Sequence, residues 1–232
     1  MKNKKSRIIF AAVMFMIITA FALYLLWDGK YYMQLSVIIM ILSCVPFFAR
    51  FEAKDNKAEE IVLIAIMAAT ASVARIPFTA VPSVQPVTFL IMAAAYVFGA
   101  ETGFMTGAVA AIVSNIFLGQ GAWTPWQMFT WGLVGLISGS LRKTPFMKNQ
   151  WLRMLTGFVF GFMFGIIMDS WTVLSMLSTE GNFSFELLIF YSQTAFLFNL
   201  IHALSNVFFL AVFFKPLVKI LERIKKKYGL LE

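Results

Sequence analysis

Charged side chains are scarce in this sequence, since only 13% of its 232 residues are Asp, Glu, Lys or Arg. A water-soluble domain carries roughly twice that share of charge, because charged groups cover its surface. Hydrophobic residues instead make up 60% of the chain. The composition therefore excludes a soluble globular protein and predicts an integral membrane protein embedded in the lipid bilayer.

Residues that bind metals or form cross-links are also nearly absent. The chain has one cysteine, Cys44, and one histidine, His202. A lone cysteine excludes an intramolecular disulfide, and neither residue has a second ligand of its own kind with which to hold a metal. We therefore predict no metal site and no cofactor.

The motifs of common nucleotide and hydrolase sites are missing too. The chain has no Gly-x-x-x-x-Gly-Lys-Ser/Thr segment, no Gly-x-Ser-x-Gly and no His-Glu-x-x-His. The acidic pair Glu59 and Glu60 begins a predicted helix, where carboxylates complement the helix dipole. We therefore predict no catalytic residues and a protein that is not an enzyme.

Long apolar runs dominate what is present. They cover residues 8–27, 32–49, 61–74, 87–98, 103–118, 126–141, 152–177 and 185–214. An apolar helix of about 20 residues crosses the hydrocarbon core of a bilayer. We predict an all-α membrane protein with eight transmembrane helices: two N-terminal helices and a charged loop in residues 1–60, a six-helix core in residues 61–214, and a basic amphipathic interfacial tail in residues 215–232.

The 19 basic residues are unevenly distributed between the segments that connect these runs. With the N-terminus inside, 17 of them fall in cytoplasmic segments, and only Lys30 and Arg75 fall outside. This bias predicts a multi-pass protein of the cell membrane with both termini in the cytoplasm. The bias also places most basic residues beside the anionic inner leaflet of the membrane, which accounts for the net charge of +8. We therefore predict no nucleic-acid partner.

Two irregular segments, residues 75–88 and 115–128, interrupt the apolar runs. The first contains Pro77, Pro82 and Pro86, and prolines at this density stiffen a loop into one shape. The second reads Asn-Ile-Phe-Leu-Gly-Gln-Gly-Ala-Trp-Thr-Pro-Trp-Gln-Met and offers amides and flat aromatic rings. Both loops lie on the predicted outer face, which indicates a ligand site there.

Polar residues inside the apolar runs are costly to bury in a membrane, so we expect each to have a hydrogen-bond partner or a function. Asp169 is a carboxylate within a long apolar run, and it either pairs with Arg75 or a hydroxyl, or contacts a ligand directly. On the last run Ser192, Asn199, His202 and Asn206 share one helical stripe. We predict ligand contacts for the first two and interhelical hydrogen bonds for His202 and Asn206.

Small residues recur at four-residue spacing in three runs, which allows close approach of helices. They are Ala65 and Ala69; Gly103, Gly107 and Ala111; and Gly157, Gly161 and Gly165. The glycine rows predict packing within the bundle, whereas the alanine pair presents a flat face suited to another subunit.

The block of residues 60–141 resembles the substrate-binding S components of energy-coupling factor (ECF) vitamin transporters. The resemblance lies in the Ala-x-x-x-Ala helix, Ala-Arg-Ile-Pro-Phe, Gln-Pro-Val-Thr, Phe-Gly-Ala-Glu-Thr-Gly and Gly-Gln-Gly-Ala-Trp-Thr-Pro-Trp-Gln-Met. It implies that the six-helix core binds a vitamin at its outer face, with the first outer loop as a lid. It further implies docking of Ala65 and Ala69 on a membrane coupling (T) subunit, which two ABC-type ATPase subunits drive.

Within this family the Trp-Thr-Pro-Trp-Gln-Met loop looks most like the cobalamin or corrinoid members, although another vitamin remains an alternative. A stand-alone secondary transporter or membrane enzyme is the alternative of a different class. The candidate substrate-binding residues are Arg75, Phe78, Gln85, Asn115, Gln120, Trp123, Trp126, Gln127, Asp169, Ser192 and Asn199.

Overall fold

The computed structural model describes residues 32–53, 58–180 and 185–229, and within these ranges all regular structure is helical. The α-helices are α1 (Tyr32–Ala53), α2 (Ala58–Val73), α3 (Val87–Phe98), α4 (Ala100–Leu118), α5 (Thr124–Ser140), α6 (Pro145–Lys148), α7 (Gln150–Glu180), α8 (Phe185–Thr194), α9 (Phe196–Val212) and α10 (Phe214–Tyr228). A short 3-10 helix, Ile76–Phe78, follows α2. The all-α prediction is confirmed, while the predicted helix over residues 8–27 lies outside the described residues.

Helix length limits how many segments can cross a bilayer. Three described segments are long and apolar enough to do so: Ala58–Phe78, Ala100–Leu118 and Gln150–Ser175. The pair α9 and α10 passes the same test jointly, but its axis bends by 61°. Helix α3 is apolar yet has only 12 residues. The prediction of eight spans, and of which side the termini face, stays a prediction.

The predicted single helix over residues 185–214 is not continuous, because one residue, Ala195, separates α8 from α9. The main-chain N–H of Ala195 still donates to the carbonyl of Tyr191 at 2.9 Å, so this first interruption is local. A second break separates α9 from α10 at Phe213. Pro216 explains it, since proline has no N–H for the carbonyl of Val212 four residues back.

Helix α3 is the centre of the bundle. All of its residues are buried except Tyr96, which is half-buried. Its sequence, Val-Thr-Phe-Leu-Ile-Met-Ala-Ala-Ala-Tyr-Val-Phe, is apolar on every side, as a helix surrounded by protein requires. Helices α2, α4, α5 and α10 pack around it.

The first glycine row packs α4 against α5, as predicted. A Cβ atom on Gly107 would lie 2.3 Å from the main-chain oxygen of Trp131, and one on Gly103 would lie 2.7 Å from that of Gly135. The second row packs α7 against α9, where a Cβ on Gly161 would lie 2.5 Å from Cα of Ala203. The main chains of each pair therefore meet where only glycine fits.

Helix α10 corresponds to the predicted amphipathic tail, and its apolar face packs on the bundle. Phe214, Val218 and Leu221 are buried, and Leu217 and Ile224 pack against the same core. The predicted position of this helix at the membrane interface stays a prediction.

Helix α1 belongs to the N-terminal pair of predicted helices, and it packs against the core. The ring of Phe47 stacks on that of Phe104 in α4 with centroids 4.0 Å apart. Cys44 is buried in the same cluster as a free thiol.

Candidate functional site

Arg75 is the centre of a polar cluster at the end of the bundle where α2 ends and α5 begins. The Nε–H of this guanidinium donates to Oε1 of Gln85 at 3.2 Å. One terminal nitrogen donates to the hydroxyl of Ser114 and, at 3.4 Å, to Oδ1 of Asn115. Only 7% of Arg75 is exposed. We name Arg75, Gln85, Ser114, Asn115 and Gln127 the Arg75 cluster.

The apolar side of the guanidinium lies on an aromatic ring. Cζ of Arg75 is 4.8 Å from the ring centroid of Trp131 in α5, a cation–π distance. Trp131 is fully buried and stacks on Phe164 of α7 with centroids 5.1 Å apart. The charge is therefore held by uncharged acceptors and a ring.

Asn115 connects the two irregular segments. Its Nδ2 donates to Oε1 of Gln127 at 2.7 Å and to the hydroxyl oxygen of Thr124 at 3.0 Å. The hydroxyl of Thr124 in turn donates to Oε1 of Gln120 at 2.9 Å. The amides that the sequence indicated for ligand binding thus bond to one another and set the shape of residues 115–128.

Helix α9 holds the Pro-rich segment from the other side. Nδ1 of His202 lies 3.1 Å from the carbonyl oxygen of Ser83, and Nε2 lies 3.4 Å from the hydroxyl of Thr88. Because a carbonyl only accepts, Nδ1 carries the proton and Nε2 accepts from Thr88. The N–H of Gln85 donates to the hydroxyl of Ser205 at 3.1 Å. Ser83 itself has a φ of 62°, in the left-handed region.

The interhelical hydrogen bonds predicted for His202 and Asn206 are confirmed. His202 bonds to the segment before α3, and Nδ2 of Asn206 donates to the carbonyl of Gly157 in α7 at 3.2 Å. Ser205 lies between them and was not predicted, although it stands on the same helix.

Asp169 bonds to Asn199 and not to Arg75. Nδ2 of Asn199 donates to Oδ2 of Asp169 at 2.8 Å, and both residues are buried. A Cβ on Gly165 would lie 2.1 Å from Oδ1 of Asn199, so this glycine makes room for the amide. The predicted pairing of Arg75 with Asp169 is wrong in the described structure, because each polar head already has other partners.

Tryptophans surround these polar groups. Trp123 contacts Trp171 of α7 edge to face, with centroids 5.8 Å apart. Within the described residues the indole N–H groups of Trp126, Trp131 and Trp171 are buried without an acceptor. Buried donors normally find partners, so these three indoles are exceptions to the usual satisfaction of buried polar groups.

Two predicted site residues lie elsewhere. Phe78 packs edge to face on Phe209 with centroids 5.5 Å apart, as part of the bundle wall. Ser192 lies on α8 and lines a separate, largely apolar cavity of about 440 Å³ with Ile166 and Phe196. The break at Ala195 separates Ser192 from Asn199, so the predicted stripe is not one continuous helix face.

Ser114, Trp131 and Trp171 were not predicted as site residues. Ser114 directly precedes the segment of residues 115–128, and its position next to Asn115 was an available signal. Trp131 and Trp171 fall inside apolar runs, where an aromatic ring is indistinguishable from a core residue before its neighbours are known.

Ala65 and Ala69 are exposed on α2, together with Ile61, Val62 and Ile66. The opposite face of the helix, which includes Ala68 and Ala71, is fully buried. The helix therefore turns a flat, apolar surface outward.

The chemistry of the site is that of binding. Within the described ranges no group of three or more His, Cys, Asp and Glu side chains could hold a metal ion. The assembled groups are a guanidinium, amides, indole donors and one carboxylate, which recognise polar, flat molecules.

Comparisons with known proteins agree with a transport role. A family model described as "ECF-type riboflavin transporter, S component" matches residues 55–223. A UPF0397 protein of Vibrio atlanticus (strain LGP32) is 30% identical over 87 residues, which is 35% of this chain and 47% of that protein. The chain thus spans about half the length of this relative. No solved structure matches.

The family consists of membrane transporter components that work with ECF coupling and ATPase subunits, and its members are not enzymes. The match begins after α1 and covers the Arg75 cluster, the Asp169–Asn199 pair and most of α10. Because it covers well over half of the chain, this protein belongs to the family of ECF-type riboflavin transporter S components.

Proposed function

We propose that this chain is the substrate-capture subunit of an ATP-driven vitamin importer and binds its vitamin beside the Arg75 cluster. The observation that carries the proposal is the buried guanidinium of Arg75, which is fixed by Gln85, Ser114 and Asn115 while its other side lies on Trp131. Such an arrangement fixes donors and a ring in place before a ligand arrives, which lowers the entropy cost of binding.

The Pro-rich segment is suited to cover the site. His202 and Ser205 of α9 attach it at Ser83 and Gln85. These bonds are few and lie at one end of the segment, whereas Pro77 and Val81 are exposed. The segment of residues 76–82 therefore acts as the lid. The contact of His202 with Ser83 attaches it to the bundle at its C-terminal end.

Riboflavin is the first candidate ligand. The family description names it, and its flat ring system carries carbonyl and ring-nitrogen acceptors that suit a site with amide and guanidinium donors such as those of the Arg75 cluster. Aromatic rings such as Trp123 add stacking surface.

A cobalamin-type corrinoid is the second candidate, and it rests on the Trp-Thr-Pro-Trp-Gln-Met loop. A corrinoid needs a wide mouth, for which Phe78, Trp123 and Trp126 were the expected walls. Phe78 packs on Phe209 and Trp126 is only 6% exposed, so this wide mouth is less well supported than a narrower site.

Orientation follows from charge. We place the Arg75 cluster on the extracellular side of the cell membrane and the Lys-rich end of α10 in the cytoplasm, because 17 of 19 basic residues then lie inside. The exposed Ala65 and Ala69 face docks on the coupling subunit, which connects the chain to two ABC-type ATPase subunits.

The test is purification of the full chain in mild detergent, followed by mass spectrometry of the co-purified small molecules and titration with riboflavin and cobalamin. The proposal expects one vitamin to bind at a 1:1 ratio and Arg75→Gln to weaken it. Binding of neither vitamin, with no other co-purified small molecule, would overturn the proposal. Tight cobalamin binding without riboflavin binding would reverse the order of the two candidates.

A further inference from the structure

A basic pocket lies at the end of the bundle opposite the Arg75 cluster. Helix α3 connects the two ends: Thr88 in its first turn contacts His202, and Val97 in its last turn accepts a hydrogen bond from Nζ of Lys225 at 3.3 Å. The 12 residues of α3 span about 18 Å, at about 1.5 Å per residue. The pocket therefore has no part in the site described above.

Four positive side chains line this pocket, which has a volume of about 490 Å³. Arg142 and Lys143 follow the C-terminus of α5, and Lys225 and Lys226 lie on α10. Glu222 is the one carboxylate among the described lining residues, so the lining carries a net charge of +3 (four positive groups minus one negative). Like charges at this density favour an anion between them.

The positive groups of the pocket have few partners. Lys225 donates to the carbonyl of Val97, in the last turn of α3, where a cation complements the helix dipole. Within the described ranges, the side chains of Arg142, Lys143 and Lys226 make no hydrogen bond or ion pair with protein groups, although the main-chain N–H of Arg142 donates to Gly139. Their donors are therefore available to a ligand.

A fifth positive charge stands behind the pocket wall. Arg153 is only 4% exposed, and its Cζ lies 3.9 Å from the ring centroid of Phe214. Tyr96, which lines the pocket, packs on the same Phe214 ring with centroids 5.4 Å apart. One terminal nitrogen of Arg153 donates to the carbonyl of Met147 at 2.9 Å, whereas Nε and the other terminal nitrogen have no acceptor among the described residues.

We propose that this pocket binds the phosphate of an anionic phospholipid headgroup. The pocket lies where the apolar helices α3 and α5 end, which is the depth of the headgroups for a membrane-spanning bundle. Basic pockets between membrane helices typically take such headgroups. Arginine and lysine bind the phosphate oxygens, and the Tyr96 ring and Val97 supply apolar surface for the glycerol and the start of the acyl chains.

The test compares two double variants of the full chain, purified in detergent, by native mass spectrometry with added dioleoyl phosphatidylglycerol. Lys143→Gln with Lys226→Gln removes two exposed pocket lysines that bond to no described group. Lys215→Gln with Lys219→Gln removes two exposed lysines of the same region outside the pocket lining. The pocket variant should bind the lipid about tenfold or more weakly than wild type, and the control variant should stay within about twofold.

Three further measurements sharpen the test. Dioleoyl phosphatidylcholine should not be retained, inorganic phosphate at the same concentration should not displace the glycerol lipid, and Glu222→Gln should increase lipid retention. Equal lipid loss in both double variants would overturn the proposal. So would displacement by inorganic phosphate, which indicates a free-anion site.

Discussion

The guanidinium of Arg75 lies on the indole of Trp131, 4.8 Å from its ring centroid, and this contact joins the Pro-rich segment to the interior of the bundle. Arg75 bonds to residues of the Pro-rich segment and of α4, while Trp131 stacks on Phe164 of α7. A change at Trp131 therefore reaches both the site and the packing of the helices.

Trp131→Ala should destabilise the protein by about 3–5 kcal/mol, because it leaves a large cavity in a fully buried position and removes the ring under Arg75. The measurement is the unfolding midpoint in detergent. Trp151 is the matched control, since it is 74% exposed and its replacement by Ala should change stability by no more than about 0.5 kcal/mol. Equal midpoints for the two variants would contradict the packing described for Trp131.

Arg75→Lys should weaken ligand binding about tenfold although the charge is retained. Lysine is a point charge and cannot bond to Gln85 and Ser114 through two separate nitrogens while lying flat on Trp131. The dissociation constant for the vitamin is measured by titration. Arg223→Lys, at an exposed position of α10, is the control, and its affinity should equal that of wild type.

Double-mutant cycles should separate the two pairings considered for Asp169. Asp169→Ala and Asn199→Ala should be non-additive by roughly 0.5–3 kcal/mol, since Asn199 donates to Asp169 at 2.8 Å. Asp169→Ala and Arg75→Ala should be additive within about 0.5 kcal/mol, because each residue has other partners. The coupling free energies are calculated from ligand dissociation rates. A strong coupling between Arg75 and Asp169 would contradict the described partners and support the ion pair considered from the sequence.

Most helices of this fold can be predicted from the sequence, because a long apolar run in a membrane protein has few alternatives to forming a helix. The run of residues 87–98 coincides with α3, and the glycine rows at Gly103 and Gly161 predict the close packing of α4 on α5 and of α7 on α9. The interruption at Ala195 could not be predicted from the sequence, since alanine is the best helix former. Pro216 was a readable signal for the break before α10.

The site was only partly predictable for a different reason. Gln85 and Asn115 were found because amides in a Pro- and Gly-rich loop are conspicuous, but their partner Ser114 lies one residue before the loop. The Arg75–Asp169 pairing was inferred from opposite charge and from the predicted position of both residues near the same outer surface. In the structure Arg75 is satisfied by uncharged oxygens and a ring, an outcome that depends on where α4 and α5 bring their side chains.

Ala65→Trp or Ala69→Trp should abolish uptake and leave vitamin affinity unchanged, because both residues are exposed on α2, away from the Arg75 cluster. Uptake is measured in cells that contain the coupling and ATPase subunits, and affinity is measured on the purified chain. Ala68→Trp is the contrasting variant: Ala68 is fully buried, so a tryptophan there should lower stability and binding together. Loss of affinity in the Ala65 or Ala69 variants would place their face inside the bundle or at the ligand.

The most direct test of the capture role is accumulation of radiolabelled riboflavin, or of cobalamin if that vitamin co-purifies, in proteoliposomes. The chain is reconstituted alone and together with its coupling and ATPase subunits, with ATP supplied on the side of the ATPases. The account predicts accumulation above the equilibrium level only with the complete complex and ATP, and stoichiometric binding alone without them. Accumulation against a gradient by the chain alone would contradict it and establish a self-sufficient carrier.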